Sequence, residues 1–136
     1  MGLTVREYKF VTGFETVTIS TTAVSATRVC NGSFGTPNDI VAGTGIVFDG
    51  NGNTEIQYIQ GSGGAVNISA NPQISAGTND CDELKLIGAS DANTVQIDDG
   101  DGVVLVGFLP PLGAGDSISF VWDDDNSLWR EVSRNV

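Results

Sequence analysis

The side chains best able to do chemistry in this sequence are carboxylates gathered in short turns. Asp49-Gly50-Asn51-Gly52-Asn53-Thr54-Glu55 sets oxygen-bearing side chains at alternate positions, the spacing by which a calcium loop wraps its ion. It lacks the glycine such a loop needs at the sixth position, carries Glu55 at the seventh, and is flanked by strand-like sequence. Asp98-Asp99-Gly100-Asp101 and Asp123-Asp124-Asp125-Asn126 crowd acids in the same way, and mutually repelling carboxylates would gain from a cation. Turn chemistry explains all three without an ion. Gly, Asn and Asp tolerate positive φ, and a charged hairpin tip is at home in water. We therefore expect solvated turns and assign no metal ligand.

Catalysis has little to work with. The chain has no histidine, so the commonest general base and commonest metal ligand are missing. A serine triad is out of reach without it, and no Gly-x-Ser-x-Gly elbow occurs. Gly-x-Gly recurs at 43–45, 50–52, 61–63, 100–102 and 113–115 but never extends to Gly-x-Gly-x-x-Gly, so no dinucleotide fingerprint is present. Paired carboxylates could hydrolyse glycosides, yet the chain is short and holds few aromatics for a sugar platform. The expectation is a protein that is not an enzyme, with no catalytic residue, no cofactor and no small-molecule substrate.

Charge narrows the partners. Seventeen acids against six bases give a net charge of -11, which repels phosphate backbones and anionic lipid. Neither nucleic acid nor a membrane is expected as a partner. The sign is unevenly spread: residues 1–30 hold Arg6, Lys9 and Arg28 against Glu7 and Glu15, whereas residues 31–136 hold three bases against fifteen acids. The first thirty residues therefore form a possible attachment segment for an acidic surface. No stretch reaches the ~20 apolar residues of a spanning helix, and Met1–Arg6 resembles neither a signal peptide nor a myristoylation site.

Cys30 and Cys81 are the only cysteines. A bridge between them would close a loop of roughly 50 residues and stabilise by a few kcal/mol on the chain-entropy model. Without an export signal, reduced and buried thiols are the favoured expectation, with the disulfide as the alternative.

The elements that must hold these groups read as strands. Gly, Asn and Asp total 40 residues, Val, Ile and Thr another 37, and Leu with Ala only 16. Stiff β-branched runs cut by turn formers are the composition of an all-β chain. Alternation places strands at 5–11, 16–22, 39–41, 45–48, 55–59, 65–69, 83–87, 94–97, 103–106, 117–122 and 128–132. The Asp49–Gly52 and Asp99–Gly102 turns suit tight hairpins, and Pro110-Pro111 marks a loop or sheet edge. Trp122 and Trp129 flank the Asp123–Asn126 turn, placed either to cap the core across a hairpin or to contact a neighbour. Arg130 and Glu131 are expected to face solvent or a subunit seam. The fold class is all-β with no substantial helix: an antiparallel β-sandwich, a jelly-roll-like arrangement or a short β-helical stack, in a single domain spanning 1–136.

Over residues 66–135 the strand-and-turn pattern resembles a β-structural module of tailed-bacteriophage virion proteins, of the capsid decoration, head fibre or tail fibre type. The resemblance is carried by Val66–Ile74, by Leu84–Val95, by Asp99-Gly100-Asp101-Gly102, by Leu112–Asp116 and by Trp129–Arg134. Two departures stand out. Cys81 occupies a position where glycine is usual, which tightens that turn, and Pro110-Pro111 interrupts the strand approach to Leu112-Gly113. The resemblance implies a virion protein, commonly homotrimeric. Compactness favours a capsid decoration or cement protein on the head surface, assembled in the host cytoplasm, with itself and the major capsid protein as partners. A small tail-fibre or receptor-binding module contacting the host surface is the alternative.

Overall fold

The structure is a computed structural model that describes residues 28–50 and 52–136. Nine strands follow one another: β1 (Val29–Asn31), β2 (Asn38–Ile40), β3 (Thr54–Gly61), β4 (Val66–Asn67), β5 (Glu83–Gly88), β6 (Val95–Gln96), β7 (Val103–Val104), β8 (Ser117–Asp123) and β9 (Leu128–Asn135). There is no helix among the described residues, so the fold is all-β.

The chain coils. Strand β3 lies parallel to β5 with Thr54 opposite Glu83, and β4 lies parallel to β6 with Val66 opposite Val95, an advance of 29 residues in both cases. A parallel bridge joins Ile46 to Ile74, 28 residues on, along another wall of the same coil. Each circuit thus lays its strands over those of the circuit before. The long strand β3 carries two short parallel partners on its other edge, β1 against its first half and β2 against its second. This is the stacked arrangement among the all-β alternatives.

An antiparallel hairpin closes the coil. Strand β8 runs back along β5, with Leu84 opposite Phe120, and β9 returns along β8, with Trp122 opposite Trp129. Strand β7 joins β9 in parallel, giving a large sheet in the order β1-β3-β5-β8-β9-β7 with β2 also on β3. The inward alternation of β3, β5 and β8 supplies Ile59, Leu84, Leu86, Ile118, Phe120 and Trp122 to one hydrophobic core. The opposite wall supplies Ile46, Ile74, Val95, Ile97, Leu109 and Leu112.

Rung corners consume glycine where backbones meet. Gly88 ends β5, donates its N–H to the Asp116 carbonyl and accepts from Gly115 N–H. A β-carbon there would collide with the Gly113 carbonyl. Gly77 lies flat under the Trp122 indole, where a β-carbon would strike the ring.

Several expected elements are altered. The 45–48 segment makes a single bridge at Ile46 and not a strand, while β1 was not anticipated. The expected strands at 5–11 and 16–22 lie outside the described residues. The Asp49–Gly52 segment leads into β3, whose neighbours β1 and β2 are parallel, so it turns a rung corner and not a hairpin. Gly100 and Val103 do form a tight hairpin, exchanging both hydrogen bonds at 2.8 and 3.0 Å, with Asp101 at φ 45° and Gly102 at φ 83° between them.

Gly88→Ala should destabilise the protein by about 1–3 kcal/mol, because a methyl group has to displace backbone. Gly35→Ala, whose β-carbon would meet nothing within 4 Å, should change stability by less than about 0.5 kcal/mol. Denaturant melts of both variants check the pair.

Candidate interaction surface

The acids first suspected of holding a cation fasten backbone instead. Glu55 points into the coil and is fully buried. Its carboxylate accepts the Asp49 N–H at 2.6 Å and the Gln57 Nε2 amide at 2.9 Å. Gln57 also donates to the Val47 carbonyl at 2.6 Å and accepts from Asn38 Nδ2 at 3.3 Å. The expectation of a solvated loop therefore fails at Glu55, because the inward register of β3 carries this side chain into the interior. Burial is the largest influence on the Glu55 carboxyl and raises its pKa above the ordinary 4.5, against the lowering effect of its hydrogen bonds.

The other acidic turns do similar work at the surface. Asp99 Oδ1 accepts the Leu105 N–H at 2.8 Å, and Asp124 Oδ1 accepts Trp122 Nε1 at 3.0 Å. Asp123 accepts from Asn126 and pairs with Arg130 Nε at 2.7 Å, so hydrogen bonds from Asn126 and Arg130 hold its pKa below the usual range. Asp82 Oδ2 takes the N–H groups of Thr78 and Asn79. Among the described residues, no three His, Cys, Asp or Glu side chains converge as metal ligands. A cleft of about 330 Å³ beside Trp122, walled by Pro72, Ile74 and Ala76 among others, carries no acid or base on its lining. No helix of the described residues is long and apolar enough to cross a membrane.

Cys30 and Cys81 are both free and both exposed, which corrects the expectation of buried thiols. Cys30 takes the outward position of β1, opposite the half-buried Ile56. Cys81 stands at φ 68°, the left-handed conformation that glycine enters without strain, and so turns its side chain out of the chain's path. Trp122 and Trp129 meet across the hairpin with ring centroids 5.2 Å apart, and both are buried.

The feature with most capacity to bind is apolar. Between the half-buried Leu105 and the buried Leu109, the chain lifts Val106 and Phe108 into water, 75% and 79% exposed. Gly107 at φ 78° makes the bend, and the exposed Pro110 and Pro111 follow. Two charged side chains from β9 hold this loop. Glu131 Oε2 accepts the Val106 N–H at 2.7 Å. Arg134 donates to the Phe108 carbonyl at 2.6 Å and to the Val106 carbonyl at 3.0 Å, while its guanidinium pairs with Glu131. The pair shifts both groups toward their charged forms, lowering the Glu131 pKa and raising that of Arg134.

Glu131 had been expected to face solvent or a seam. The shift of register between Ser119 and Phe120 makes Val132 the extra residue and sets Glu131 opposite Phe120, so its side chain is 4% exposed. Arg130 does remain exposed. Sequence reading missed the loop because a lone phenylalanine before two prolines looks like any connection. The available signal was Arg134, one of only three bases after residue 30.

A backbone fixed by charge-assisted hydrogen bonds while its large side chains stay in water is organised for a partner in advance. No ordering cost remains to be met on binding, and two apolar side chains are ready to be covered.

Glu55 supplies a test of the interior. Its folded pKa is raised, so the charged carboxylate penalises the fold, and that penalty is absent below pH 4.5 and grows as pH rises through the folded value. Glu55→Gln should therefore gain in melting temperature relative to wild type as pH rises from 4 to 7, by roughly 2–5 °C. A difference that is flat with pH would show that Glu55 does not titrate above its ordinary range.

No family model, curated protein or solved structure matches the chain.

Proposed function

We propose that this chain is a non-enzymatic structural protein of a tailed-phage virion, a homotrimeric decoration or cement protein that binds the outer surface of the head and stabilises it. The observation that carries the reading is the apolar loop at Val106 and Phe108, held rigid by Glu131 and Arg134 on an otherwise strongly acidic molecule. A cement protein needs such a feature: a preset apolar contact for the major capsid protein, and a single-sign remainder that keeps particles apart in solution. The strand-and-turn resemblance over residues 66–135 supports the same context. The use of the acids as turn fasteners favours binding over hydrolysis. The attachment role of residues 1–30 stays part of the proposal, although residues 1–27 lie outside those described.

Capsids lacking the protein provide the test. Val106→Asp combined with Phe108→Asp should weaken co-sedimentation with such capsids at least about tenfold, without lowering the melting temperature, since both side chains are exposed. Undiminished capsid binding by the double variant would overturn the role of the loop. Labelled protein found at the tail tip and not over the head would overturn the cement reading itself.

A further inference from the structure

One face of the large sheet has no cover within the chain. Opposite the core, β3 presents Ile56 and Tyr58, β5 presents Ile87 and β8 presents Val121, all half-buried. Phe34, 57% exposed, packs edge-on against Tyr58 at 4.5 Å between centroids. Val132, 59% exposed, sits at the register shift of β9. Sheets whose ladders are parallel, as from β1 and β2 through β3 to β5, are normally covered on both faces.

Charge selects the occupant. The outward charges on this face are Asp39, Glu83 and Asp123 against Lys85 and Arg130, three acids and two bases for a net of -1. The molecule as a whole carries -11. Lys85 and Arg130 are two of the three bases that follow residue 30. The remaining surface acids sit mainly in turns, and a basic partner would be drawn there. The sheet face instead suits a partner that is itself acidic, and it offers both signs beside an apolar track.

We propose that this face is where copies of this chain meet, sheet against sheet. Lys85 and Arg130 of one copy lie near the Glu83 and Asp123 carboxylates of the next, and Ile56, Tyr58, Ile87 and Val121 are buried between them. Two copies brought together elsewhere would oppose like charges. The inference rests on the proposed self-assembly and adds the surface through which it occurs.

Light scattering and sedimentation equilibrium test it on the full-length protein. The wild type should assemble, Ile87→Glu with Val121→Glu should be monomeric, and Lys85→Glu should dissociate about tenfold more readily, with added salt narrowing the gap. Lys85 is exposed, so that single change keeps the test valid if the double variant folds poorly. Val106→Asp with Phe108→Asp should assemble like wild type. Should the loop variant dissociate while the face variants stay assembled, this surface is wrong and self-assembly stands. A wild type that is monomeric overturns both, while capsid binding is decided separately by co-sedimentation.

Discussion

The fold converges on Trp129. Its indole is fully buried, lies against Phe48 at 4.9 Å and Trp122 at 5.2 Å between centroids, and donates Nε1–H to the Ser75 carbonyl at 2.9 Å. Its backbone N–H donates to the Gly102 carbonyl, beside its pairing with Val103. One residue therefore ties an early circuit of the coil (Phe48), the next circuit (Ser75), the tight turn at Gly102 and the closing hairpin. A stack of parallel rungs exposes its last rung unless something caps it. The β8–β9 hairpin is that cap, and Trp129 is its largest contact with what it covers.

Short rungs leave much backbone outside the ladders, and buried amides supply the missing partners. Gln73 donates to the carbonyls of Asp98 and Gly100 and accepts the Asp98 N–H. Gln96 reaches the carbonyls of Ile97 and Leu109. Gln57 and Glu55 do the same for the segment from Val47 to Asp49. No buried side-chain nitrogen or oxygen among the described residues is left without a partner. Acids at the surface corners extend this logic to exposed N–H groups, which explains how the chain can carry so many carboxylates without an ion to neutralise them.

Period-two alternation made β3, β5, β8 and β9 legible, because each has one face in the core and the signal is local. Their direction was not legible. A rung corner and a hairpin draw on the same Asp, Gly and Asn residues, and what separates them is a partner 29 residues away. The orientation of Glu131 was lost for a related reason: one extra residue at Val132 reverses the alternation, and no composition announces it. Cys81 was placed correctly in a turn that wants glycine, yet its exposure follows from φ 68° and not from its hydrophobicity. The apolar loop was hidden because its order comes from Glu131 and Arg134, more than twenty residues further on.

Together these features describe a stiff, capped coil that displays one organised apolar contact. The reading of the loop as a preset contact depends on its being ordered before any partner arrives. Hydrogen exchange at the Val106 amide, in the free protein, measures this directly. The N–H bound to Glu131 should exchange far more slowly than an unstructured amide, and Arg134→Lys should lose much of that protection. Exchange at the unstructured rate in the wild type would contradict the account.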